Sequence, residues 1–102
     1  MAAVSFSTQA DALYAHISGE IDHDTAQTLR QRIDDAALMR MPRVLVLDLT
    51  QVSFMDSSGI GLILGRRRRM QALGGTVRVQ QPPVQIRKVL DLAKIEYQEE
   101  TP

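Results

Sequence analysis

Apolar residues fill nearly every position of Val44-Leu45-Val46-Leu47-Asp48-Leu49. An unbroken run of this length fits a strand buried on both faces, which places it centrally in a sheet covered by helices. Upstream, Val4-Ser5-Phe6-Ser7 and Ala12 to Ser18 alternate as a hairpin around Gln9-Ala10-Asp11. Leu13, Ala15 and Ile17 share one face of its second strand, and Tyr14 and His16 share the other. His16 reads as an exposed strand residue, because no second metal-type partner sits at useful spacing. Gly19 to Asp24 is predicted as a polar turn into a helix, with Asp24 and Gln27 resembling a capping box. Ala26, Leu29, Ile33 and Ala37 then recur at helical spacing, leaving Arg30, Gln31, Asp34 and Asp35 on the wet side. Pro42 cannot continue that helix.

After the central run, Thr50-Gln51-Val52-Ser53 is predicted as a short connection. The next helix spans Ile60 to Ala72. Its apolar residues Ile60, Leu62, Ile63 and Leu64 surround most of the circumference, so its first two turns are predicted to be largely buried. Gly74-Gly75 stops it, and Thr76-Val77-Arg78-Val79 reads as another strand. Pro83 suits the first position of a short amphipathic helix ending at Leu92. Ala93 to Tyr97 suffices for an edge strand at most, and Gln98 to Pro102 is expected to fray.

Composition narrows the function more than the fold. A chain of 102 residues is one domain with a single core. Lys+Arg and Asp+Glu both number 12, so no global charge holds nucleic acid or an anionic membrane. Arg66-Arg67-Arg68-Arg69 spans more than a helical turn without interleaved aromatics. It reads as the solvated half of its helix, with one or two arginines left for a partner. Cysteine is absent, which removes disulfides and thiolate metal sites and suits a reducing compartment. The start, Met1-Ala2-Ala3-Val4-Ser5, has neither a basic beginning nor a long apolar stretch. No signal peptide is expected, and the cytoplasm is the expected location.

The candidate chemistry sits in Phe54-Met55-Asp56-Ser57-Ser58-Gly59-Ile60-Gly61, between the central strand and its following helix. Aspartate and serine are favoured N-cap residues, and a phosphate on a hydroxyl there is tolerated beside the positive end of the helix dipole. Gly59 and Gly61, lacking Cβ atoms, are expected to leave backbone amides open to another molecule. A dinucleotide fold is disfavoured, because Thr76 to Val79 ends without an acid for a ribose. No Gly-Lys-Ser/Thr follows for a P-loop, and neither serine has the preceding glycine of a hydrolase elbow. Capping and modification of the serine pair both remain open. Asp22 and Asp24 flank His23 and invite a catalytic role, but acids ahead of a helix more often cap it.

The segment from Phe54 to Arg66 resembles the phosphorylation-site signature of STAS domains, and more narrowly that of the anti-sigma factor antagonists. Gly19-Glu20-Ile21-Asp22-His23 with Thr25-Ala26, Gly74-Gly75 and Val89-Leu90-Asp91 match the family in the same order, from about Val4 to Tyr97. The resemblance implies one α/β domain: a mixed sheet of about five strands, with helices mainly on one face. It implies a binding module, not an enzyme, with no cofactor or metal of its own. Its partners would be an anti-sigma factor that is also a serine kinase, supplying the ATP, and a phosphatase of the PP2C type. Ser57 would take the phosphate, with Ser58 the second choice. Asp22, His23, Asp56, Ser57, Ser58, Gly59, Ile60 and Gly61 would form the partner surface. Two other functions stay open: a STAS module in another partner-switching pathway, such as general stress, and a nucleotide-binding or hydrolytic protein using the Gly59–Gly61 loop.

Overall fold

The computed structural model describes residues 1–99. Strands β1 (Ala2–Gln9) and β2 (Ala12–Ile21) form the hairpin, and α1 (His23–Arg40) follows. Next come β3 (Val44–Met55), α2 (Ser57–Ala72), β4 (Thr76–Gln80) and α3 (Val84–Leu92). The sheet has four strands in chain order. β1 is antiparallel to β2, whereas β2, β3 and β4 run parallel, each parallel step being bridged by a helix.

Register explains how the sheet divides its two faces. Leu13 lies opposite Leu45 and Ala15 opposite Leu47, while Val77 and Val79 flank the same two leucines on the other side. These residues join one apolar core with Leu29, Ile33 and Ala37 of α1, Leu62, Ile63 and Met70 of α2, and Ile86 and Leu90 of α3. All three helices therefore cover one face. The opposite face carries Tyr14, His16, Asp48 and Arg78, with Val46 buried between Tyr14 and Arg78 in register. Among the described residues, no helix is long and apolar enough to cross a membrane.

The sequence misplaces several boundaries. The sheet has four strands, not about five, because Ala93–Tyr97 contributes none. Lys94 takes the left-handed conformation and turns the chain, so among the described residues after α3 only Gln98 reaches the sheet, as a single bridge to Gln80. Gln98 does not fray: its N–H donates to Val79 O at 2.8 Å, and its carbonyl accepts from Gln81 N at 2.7 Å. Glu100 to Pro102 lie outside the described residues. Gly19–Ile21 and Thr50–Ser53, expected as turn and connection, are strand. Their pairing shifts register between His16 and Ser18 and again between Gly19 and Glu20. Such irregularities break the period of two that identifies a strand in sequence. Pro83 is the cap residue before α3 and not its first member.

Candidate functional site

Ile21 and Met55 end two adjacent parallel strands and lie opposite each other in register. Each is followed at once by an aspartate and a helix. Asp22 and Asp56 are thus the N-caps of α1 and α2, set side by side at the carboxyl edge of the sheet. Asp56 N also donates to Ile21 O at 3.2 Å, tying the two junctions together. Open α/β sheets collect ligands at this edge, where helix N-termini converge.

The two caps are built differently. Asp22 Oδ1 accepts from Thr25 N at 3.0 Å, and Thr25 Oγ1 accepts from Asp22 N at 3.0 Å, a reciprocal capping box. This replaces the box expected from Asp24 and Gln27. Asp24 lies in the first turn instead, since β2 runs on to Ile21 and the cap follows directly. The hydrogen bond from Thr25 N holds the Asp22 carboxyl below the ordinary carboxylate value. Asp56 Oδ1 accepts from Ser58 N at 2.8 Å. The helix therefore starts at Ser57, earlier than the apolar pattern from Ile60 suggests.

Capping is thus the work of Asp56, and Ser57 occupies the first helical position, exposed, with no hydrogen-bond partner among the described residues. Ser58 is half-buried, with its N–H already engaged. His23 opens α1, exposed, and Ile60 packs partly against the core. Gly59 differs from the expectation of an open amide. Its N–H donates to Asp56 O at 3.0 Å, and a Cβ there would stand 2.1 Å from Met55 Cγ and 2.3 Å from its sulfur. Glycine is needed at 59 because α2 lies directly on the end of β3. Gly61 fits the expectation: it is exposed, and an added Cβ would meet nothing within 4 Å.

A groove of about 500 Å3 runs from this edge between α1 and α2. Gly61 and Gly65 line it beside Ser58, and His23, Arg30 and Arg68 add polar and cationic groups. Arg66 corrects the solvated reading of the arginine run. Only 8% of its side chain is exposed, and its Nε lies 2.8 Å from Asp34 Oδ1. The ion pair leaves Arg66 Nε and Nη1 without hydrogen bonds among the described residues. Burial lowers the pKa of the guanidinium, and the facing Asp34 opposes that shift. The capping role of Thr25 and the placement of Arg30 and Arg68 on the groove were not read from the sequence. The Asp22-x-x-Thr25 spacing was a signal for the first; nothing local marks the two arginines.

The STAS domain family matches residues 3–100. The anti-sigma F factor antagonist of Paenibacillus polymyxa is 37% identical over 81 residues, which cover 79% of this chain and 69% of the relative. The solved anti-sigma factor antagonist SpoIIAA, in its unphosphorylated form, superposes with a TM-score of 0.84 at 27% identity, covering 97% of this chain and 89% of that one. SpoIIAA of Bacillus in the phosphorylated form gives a TM-score of 0.76 at 27% identity, covering 97% and 92%. Four strands in this order and three helices on one face agree with that likeness. The chain belongs to the STAS domain family, among its anti-sigma factor antagonists.

Proposed function

We propose that the chain is a switch read through Ser57. Unphosphorylated, it binds an anti-sigma factor that is also a serine kinase, and so releases the sigma factor. The kinase, using its own ATP, transfers phosphate to Ser57 and separates from the product; a PP2C-type phosphatase restores the hydroxyl. The cycle runs in the cytoplasm, and the protein holds no cofactor. The observation that carries this reading is Ser57 itself: exposed, unbonded, on a helix whose cap is supplied by its neighbour Asp56. Phosphate there needs no rearrangement of the fold. The existence of a phosphorylated structural neighbour supports control by phosphorylation.

The electrostatics favour an on–off response. A phosphoserine brings about −1.5 to −2 charges. It would join Asp22 and Asp56 at one edge, where a partner must dock and exclude water. Burying that charge unpaired costs several kcal/mol, on the order of a hundredfold or more in affinity. Asp22, His23, Asp56, Ser58, Ile60 and Gly61 are proposed to surround Ser57 in the docked surface, with Gly59 setting its depth. Nucleotide hydrolysis through the glycine loop is disfavoured, because the Gly59 N–H is already bonded to Asp56 O.

Incubation with the kinase and ATP tests the proposal. Phosphate should appear on Ser57, dissociate the complex, and be absent from Ser57→Ala. Undiminished incorporation in that variant would move the site to Ser58.

A further inference from the structure

The open face of the sheet holds a chain of three side chains that the switch does not use. Ser7 Oγ lies 2.8 Å from His16 Nε2, and His16 Nδ1 lies 2.8 Å from Asp48 Oδ2. They stand on β1, β2 and β3, three neighbouring strands, on the face that carries no helix. We propose that this constellation is a second chemical site, at which Ser7 accepts an acyl group from an activated ester or thioester.

The hydrogen bonds fix the direction of proton flow. An ionised carboxylate only accepts, so the Asp48 contact places the imidazole proton on Nδ1 and leaves the Nε2 lone pair facing Ser7 Oγ. Asp48 is also held by Thr50, whose backbone N–H donates at 3.0 Å and whose hydroxyl donates to the same oxygen. Burial raises the Asp48 carboxyl, but the hydrogen bonds from Thr50 and His16 outweigh it, so the group stays below its ordinary value and is ionised at neutral pH. Tyr14 stacks against His16, with ring centroids 6.0 Å apart and planes at 14°, and this fixes the ring's tilt. The site is reachable: Ser7 is exposed and 40% of the His16 side chain meets solvent.

Each step balances. Ser7 Oγ attacks the acyl carbonyl carbon while its proton passes to His16 Nε2, and Asp48 stabilises the resulting imidazolium without taking a proton. The bond from carbonyl carbon to leaving oxygen or sulfur breaks, and the leaving group takes the proton from Nε2. Acyl-Ser7 persists until water, deprotonated by the same nitrogen, releases the acid and restores the hydroxyl. β1 is an edge strand, so alternate amides along it point away from β2. Either the amide of Ser7 or those of Phe6 and Thr8 therefore lie along the open edge of the sheet. A flat, open face selects donors by reactivity more than by shape, which suits a modification site.

The test uses the full chain with p-nitrophenyl acetate, followed by peptide mapping of acetyl groups. Ser7 should be acetylated about tenfold or more faster than Ser57, which has no hydrogen-bonded base among the described residues. His16→Gln should slow Ser7 labelling by about a hundredfold and Asp48→Asn should slow it too, each leaving kinase-dependent phosphorylation of Ser57 unchanged. Ser7 labelling no faster than Ser57, or insensitive to His16→Gln, would overturn the proposal. Because the two sites lie at different places on the sheet, failure here leaves the Ser57 switch standing, and the reverse also holds.

Discussion

At the scale of single residues, Asp56 and Ser57 divide two tasks that adjacent polar residues often share. The Asp56 carboxylate caps α2, and Ser57 is left free. Asp56→Ala should therefore cost about 0.5–2 kcal/mol of stability. Ser57→Ala should cost far less while abolishing phosphate uptake; equal losses for the two variants in urea denaturation would contradict this division. Asp22 gives a pH signature. Its carboxyl is held below 3.8, so its contribution to stability is present above that value and lost as pH falls through its folded pKa. Asp22→Asn should trail the parent in melting temperature at neutral pH, and the gap should close under acid conditions. The exposure of Ser57 was legible from its neighbours in sequence. The burial of Arg66 was not, because four identical side chains cover a full helical turn and only packing reveals which one faces α1.

At the scale of elements, the two glycines of α2 separate packing from recognition. Gly59→Ala forces a methyl into buried Met55, and overpacking of this kind costs about 1–3 kcal/mol. Gly61→Ala meets open space and gains about 0.8–1 kcal/mol of helix propensity, yet sets a methyl on the proposed docking surface. Thermal melts paired with calorimetric titration against the kinase should show opposite orders: Gly61→Ala more stable than the parent, but a poorer binder. The three helices and the hairpin were readable because apolar residues repeat at clean intervals. The ends of β2 and β3 were not, because Leu49, Val52 and Met55 are buried at intervals of three, which imitates neither strand nor helix well. The junction acids gave the site away, but their side-by-side placement comes from the Ile21–Met55 register, a long-range pairing invisible to local patterns.

At the scale of the whole molecule, zero net charge conceals an uneven distribution. Asp22 and Asp56 stand at the sheet's edge, while Arg30 and Arg68 line the groove beside it. Combining Arg30→Glu with Arg68→Glu should weaken kinase binding roughly tenfold or more and reverse its salt dependence, if the partner's complementary surface is acidic there. Unchanged affinity would confine the docked surface to the junction. The two borders of the sheet also differ. Gln98 occupies the end of β4, but β1 runs Ala2–Gln9 without a lysine, an aspartate or a proline to discourage company. Crowded molecules should accordingly meet border to border through β1, an antiparallel pairing that closes on itself and yields dimers before any filament. Ala3→Lys should keep such solutions monomeric in sedimentation velocity without altering the fold. A formulation chemist would meet this border first, long before the switch had any partner to throw off.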